Sequence, residues 1–339
     1  MHRRRFLGGL GAAGALALAA CSRPGGGAVG ATPAPAPAAW EVRHRYGTTV
    51  VPGPPQRVVT LGQTDHDAAL ALGVVPVAVG GFLGGSYTPF RPWNSARLTT
   101  PAPPVLDMQE IAFEKVAALA PDLILAVMSG VTKEDHARLS RIAPTVAQPV
   151  DAEDWAVPYR AHTEHVGRAL GKPDVAATLV DELDAAFAAA RAGHPELTGR
   201  TAICVEVFGG QYAVLGASAP RNQFLTDVGL TLDGPLAALA GRGYNAPLSA
   251  ERLDLLDAVD VVVWTTETVE QDELLADPLV KALKSTREGR YVLAPNGGVD
   301  DLLYSMDWGS VLSNRWALEQ ALPRLVRAAD GDPATDANA

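Results

Sequence analysis

Cysteine is almost absent from this chain, which holds two in 339 residues. Cys21 belongs to the leader and Cys204 sits inside the apolar run AICVEVF, so no intramolecular disulfide and no cysteine metal cluster is expected, and Cys204 reads as a core residue. Positive charge is also scarce. The 28 basic and 38 acidic residues give a net charge of −10, and removing residues 1–20, with three arginines and no acid, makes it −13 (−10 − 3). That balance disfavours a nucleic-acid partner. After the leader no segment reaches eighteen apolar residues without a charge, which excludes a further membrane span. Histidines number seven and are dispersed. A zinc or manganese site wants several His and carboxylate ligands converging, whereas His44, His136 and His194 are scattered and the pair His162 and His165 reads as a solvated helical face. No metal site is expected. The chain also lacks a Gly-x-Ser-x-Gly elbow, which weakens the reading of an exported hydrolase using Ser, His and Asp.

What is present begins with RRRFLGGLGAAGALALAAC. Arg3 to Arg5 form a basic region, and Phe6 to Ala20 is an apolar run too short to span a bilayer comfortably. Residues 1–20 therefore read as a signal peptide. The order Arg3-Arg4-x-Phe6-Leu7 resembles the twin-arginine export consensus, with Sec export left open, and Leu18-Ala19-Ala20-Cys21 resembles a lipobox in which Cys21 is lipidated. Residues 21–39, rich in Gly, Pro and Ala, lack the large apolar side chains that would offset ordering entropy and read as a tether. The expected location is the outer face of the cytoplasmic membrane.

From residue 40 onward short β-branched runs alternate with helical patterns. RVVTL, VVPVAVG, the DLILAV part of FEKVAALAPDLILAV, and TVAQPV supply the strands of residues 40–156. An alanine-rich helical segment spans 157–193, interrupted at Gly171-Lys172-Pro173. The strands TAICVEVF, QYAVLG, VDVVVWTT and GRYVLAP follow in 194–328, and 329–339 form a polar tail. The expectation is an α/β protein of two lobes, each a mostly parallel sheet flanked by helices, joined by one long central helix.

Three segments carry a resemblance. Tyr46-Gly47-Thr48-Thr49-Val50-Val51-Pro52 before Arg57-Val58-Val59, the run from Phe113-Glu114-Lys115 to Pro121-Asp122-Leu123-Ile124, and Leu248-Ser249-Ala250-Glu251-Arg252-Leu253 before Asp260-Val261-Val262 resemble the substrate-binding lipoproteins of iron-siderophore and cobalamin ABC importers. The resemblance implies a class III substrate-binding fold with little lobe closure. It implies a ferric siderophore held between the lobes and delivered to an ABC permease by a monomer that is not an enzyme. It also implies no cofactor, since the iron arrives already chelated, and it assigns Glu114 and Glu251 to docking on the two permease subunits. Haem or a corrinoid is the alternative ligand, with His66 and Tyr87 as possible axial groups.

In open α/β sheets ligands sit at the carboxyl ends of strands. The loops there concentrate the aromatic residues, which make up only 6% of the chain. Phe82, Tyr87, Phe90, Trp93, Tyr212, Tyr244, Tyr304 and Trp308 all fall in them. Arg221, just before the helix QFLTDVGL, is the foremost candidate for pairing with an anionic siderophore, because the helix N-terminus adds positive potential. Arg91, Arg97 and Arg242 are further candidates for which a solvated position stays open. Trp93 and Trp308 are either ring platforms or local packing, and Tyr87, Tyr212, Tyr244 and His66 complete the candidate set.

Overall fold

A computed structural model describes residues 38–82, 88–241, 243–266, 271–295 and 301–338. Tyr87, Arg242 and Cys21, with the leader and most of the tether, lie outside these residues. An antiparallel hairpin of β1 (Trp40–His44) and β2 (Gly47–Val51) opens the described chain. It is followed by β3 (Val58–Thr60), β4 (Ala78–Gly81), β5 (Val105–Asp107), β6 (Leu123–Ala126) and β7 (Thr145–Ala147). These five form one wholly parallel sheet in the order β5-β4-β3-β6-β7. The topology switches between β3 and β6.

The second sheet contains β8 (Ala202–Phe208), β9 (Gln211–Leu215), β10 (Asn245–Leu248), β11 (Val261–Thr266) and β12 (Tyr291–Pro295), in the order β10-β9-β8-β11-β12. β8, β11 and β12 are parallel, while β9 and β10 run antiparallel at one edge. Gly209 and Gly210, both at positive φ, make the two-residue turn that reverses β8 into β9. β10 occupies part of what the sequence alone presents as the loop LAGRGYNAP.

Burial on both sheet faces explains the unbroken apolar runs. Along β6, Leu123 and Leu125 pack on one face and Ile124 and Ala126 on the other. Along β8, Ile203, Val205 and Val207 alternate with Ala202 and Cys204 in the same way. Cys204 is fully buried, and burial pushes its thiol up to about 12. It is the core residue the sequence implies.

The segment 157–193 is two helices, Tyr159–Ala169 and Pro173–Gly193, which pack against each other. Proline at the first position of the second helix cannot extend the ladder of the first. The second helix is the one that joins the lobes. Its Ala176 belongs to the core of the first sheet, and its Leu183 and Phe187 belong to that of the second. The carboxyl-terminal residues are no loose tail: Ala337 is buried, and Asn338 Oδ1 accepts the Leu293 backbone N–H at 2.7 Å beside β12.

Candidate functional site

The residues that follow β3, β4 and β12 touch one another, so the carboxyl ends of the two sheets face across a common junction. Asp67, in the helix after β3, is fully buried and accepts three hydrogen bonds. Trp93 Nε1 donates to Oδ2 at 2.8 Å, Asn94 Nδ2 to Oδ1 at 2.7 Å, and Ser310 Oγ to Oδ2 at 2.6 Å. Ser310 belongs to the second lobe. The Arg91 guanidinium lies 3.1 Å from Asp301 Oδ2 and 4.0 Å above the Tyr304 ring, which adds an ion pair and a cation–π contact between the lobes.

Asp65 closes the switch point itself. Its carboxylate accepts the backbone N–H groups of Gly62, Val127 and Met128 and the Nε2–H of His162 at 2.9 Å. Burial opposes its ionisation, but His162, Met128 and Val127 outweigh that cost and hold the carboxyl below its ordinary range. His162 and His165 are consequently buried, not solvated; His165 Nε2 donates to the Ala147 carbonyl at 2.9 Å. The periodicity of the helix shows that both share a face, and the first sheet covers that face.

This junction takes most of the residues that the sequence offers for ligand contact. Trp308 is fully buried, edge-on to His66 at 5.2 Å and to Trp93 at 5.3 Å. Trp308 and Trp93 are therefore packing residues, and neither presents a ring face to the cleft. His66 is fully buried as well, with Nε2 2.9 Å from the Pro89 carbonyl, and burial lowers its pKa despite neighbouring Asp67. It is not placed to be an axial ligand.

Arg221 is buried among acidic partners rather than open to solvent. It is 1% exposed, with Nε 2.9 Å from Asp307 Oδ1, Nη1 3.5 Å from Glu206 Oε1, and Nη1 donating to Thr265 Oγ1 at 2.9 Å. Burial works against its charge, yet Asp307, Tyr244 and Glu206 together raise its pKa. Its guanidinium serves this acidic pocket of the second lobe. Tyr244 donates to the same Asp307 at 3.0 Å and packs against the second-lobe core. Tyr212 donates to Asp277 at 2.9 Å and lies edge-on to Trp264 on the opposite face of that sheet. Arg97 is exposed on the turn after the short helix Pro92–Ser95.

A broad open space lies at the carboxyl edge of the first sheet. A concavity of about 680 Å³ spans the switch point, with Phe82 after β4, Met108 to Ala112 after β5 and Ser129 to Val131 after β6 on its wall. Phe113, Glu114, Asp135, Arg138 and Trp155 complete it, and all of these described wall residues belong to the first lobe, whereas a ligand held between the lobes would draw on both. Trp155 meets Phe82 edge-on at 4.9 Å, and the Arg138 guanidinium lies 3.6 Å above the Phe113 ring. Gly130 is required here, since a Cβ would come within 2.8 Å of Trp155 Nε1.

Trp155, Arg138 and Phe113 escape sequence reasoning as site residues. The available signal is a lone tryptophan in the acidic stretch Asp151 to Asp154 just past β7, and a phenylalanine that opens a helix at a strand's carboxyl end. Glu114 is exposed on the first turn of the helix Phe113–Ala118 and lies on this same wall, while Glu251 is exposed on the first turn of the 3-10 helix Ala250–Ala258 of the other lobe. Among the described residues no group of three or more His, Cys, Asp or Glu could hold a metal ion, and no helix is long and apolar enough to cross a membrane.

Comparison with known proteins agrees with this architecture. The profile described as periplasmic binding protein matches residues 58–296. The ferric-anguibactin-binding protein FatB of Vibrio anguillarum is 27% identical over 264 residues, 74% of this chain and 78% of FatB. A solved periplasmic solute binding protein from Mycobacterium smegmatis is 34% identical, with a TM-score of 0.76 over 86% of this chain and 99% of that one. PiaA of Streptococcus pneumoniae, solved in complex with ferrichrome, is 25% identical, with a TM-score of 0.73 over 86% and 99%. These relatives are solute-binding proteins and not enzymes. With a matching profile that runs from β3 to the end of β12 and a solved relative that aligns over nearly its whole length, the chain belongs to the periplasmic binding protein family.

Proposed function

We propose that this protein captures a ferric siderophore in the concavity at the carboxyl edge of the first sheet and hands it to an ABC permease. The observation that carries this reading is the wall itself. Ring systems at Trp155, Phe82 and Phe113, one guanidinium and three carboxylates surround a space of about 680 Å³. An iron ion already wrapped by its chelator asks for ring contact, hydrogen bonds and shape, and for no protein ligand to the metal. The protein accordingly needs no cofactor of its own. FatB and PiaA, whose names and complexes record ferric-anguibactin and ferrichrome, support the choice of ligand class.

In this reading the protein works as a monomer held at the outer face of the cytoplasmic membrane through lipid on Cys21, after export directed by residues 1–20. Glu114 and Glu251, exposed on opposite lobes, orient it on the two permease subunits. The test is a fluorescence titration of the purified mature protein with ferric siderophores, haem and cobalamin, because Trp155 lies on the proposed wall and its emission would report a bound ferric complex. Saturable quenching by at least one ferric siderophore is expected. Quenching by haem or cobalamin alone would overturn the assignment.

A further inference from the structure

The charge of the concavity opposes the anionic ligand that Arg221 suggests in sequence. Among the described residues its wall carries three carboxylates, Glu110, Glu114 and Asp135, against one guanidinium, Arg138. Arg138 is drawn over the Phe113 ring. Two described arginines at the junction face acids, Arg91 with Asp301 and Arg221 with Asp307 and Glu206, and the exposed Arg97 is not on this wall. The excess of carboxylate is local, and the net charge of the whole chain, −10, has the same sign.

Resting on the siderophore reading above, we propose that the concavity selects ferric complexes without net negative charge, of which tris-hydroxamates are the representative class. Three hydroxamate monoanions cancel the three positive charges of the ferric ion, whereas three catecholate dianions leave a complex of charge −3. A trianion seated on this wall would stand within a Debye length, about 10 Å at 0.1 M salt, of the surplus carboxylates. A neutral or cationic complex meets no such repulsion and keeps the ring contacts of Trp155 and Phe82. The net potential of a cleft decides which charged ligands it concentrates.

The experiment titrates the mature protein with ferrichrome (neutral), ferrioxamine B in its ferric form (cationic) and ferric enterobactin (trianionic). Each titration is run at about 0.05 M and about 0.5 M salt, on either side of the ionic strength at which the Debye length is about 10 Å. We expect the trianion to bind at least about tenfold more weakly than the neutral complex at low salt, a difference of about 1.4 kcal/mol. Both added salt and the combined substitutions Glu110→Gln, Glu114→Gln and Asp135→Asn should narrow that gap. Equal or tighter binding of the trianion at low salt would overturn the inference and leave the siderophore reading standing. A gap that neither salt nor the amide substitutions narrow would also overturn it, since shape would then be the discriminator. If none of the three complexes binds, the siderophore reading fails and this inference with it.

Discussion

The Ser310 hydroxyl donates to the Asp67 carboxylate at 2.6 Å, and this one bond ties the helix after β3 in the first lobe to the helix Val311–Gln320 of the second. Trp93 and Asn94 donate to the same carboxylate, so the junction is a buried polar hub whose described donors all converge on one acceptor. Fully satisfied, such a hub specifies one arrangement; partly satisfied, it is costly.

Asp67→Ala should therefore strip three buried donors of their acceptor at once. A loss of about 3 kcal/mol or more in unfolding free energy is expected, with Asp67→Asn milder because it keeps one acceptor. Urea denaturation followed by circular dichroism measures it. An unchanged midpoint would show that the hub contributes nothing to stability.

Arg221→Ala should act on folding before it acts on recognition. It leaves the largely buried carboxylates of Asp307 and Glu206 without their shared guanidinium, and removing one partner of a buried ion pair commonly costs about 3–5 kcal/mol. Equilibrium unfolding and ligand titration should be compared on the same preparation. Wild-type stability with selectively weakened binding would return Arg221 to the ligand site.

At the concavity, Trp155→Ala should weaken ferric siderophore binding by about tenfold, roughly 1.4 kcal/mol, with little effect on folding, because Trp155 is 36% exposed. Gly130→Ala should weaken binding in the same direction by displacing the indole that its new Cβ would meet at 2.8 Å. Isothermal titration of both variants tests the placement, and wild-type affinity in both would move the ligand elsewhere.

Acidification should destabilise the first lobe through its buried imidazoles. Burial, reinforced by His136 and His165, lowers His44 to about 4, and burial outweighs the Ala147 carbonyl to lower His165 to about 4. Both folded values lie below the ordinary 6.5, so the unfolded chain binds protons first. The stability these groups contribute is complete above pH 6.5 and is lost as pH falls from there through about 4. Urea midpoints measured across that window should decline, and His165→Gln should flatten the decline. A midpoint that holds steady across the window would refute the assignment.

Glu251→Ala should leave siderophore affinity unchanged and reduce uptake into cells, because its exposed carboxylate lies outside the concavity. Glu114→Ala should affect both, since Glu114 is exposed and also lines the wall. Parallel measurements of affinity and of iron import separate the two roles.

The strands, their order along the chain and the core position of Cys204 are legible in the sequence because they rest on local physics. Runs such as LILA and AICVEVF bury both faces of a parallel strand, and no distant residue is needed to recognise that pattern. The carboxyl-edge location of the open space follows from the same alternation of strands and helices. Which polar and aromatic side chains line that space is decided by partners far away in the chain. Arg221 looks like a ligand-facing arginine until Asp307 and Glu206 fold against it, and His162 looks solvated until Asp65 arrives from the end of β3. Trp308 and Trp93 become packing residues because the lobes meet over them, while Trp155, hidden in an acidic loop, is brought against Phe82. Periodicity assigns a residue to a face, but a buried charge needs a partner, and only the tertiary structure determines which partner each one meets.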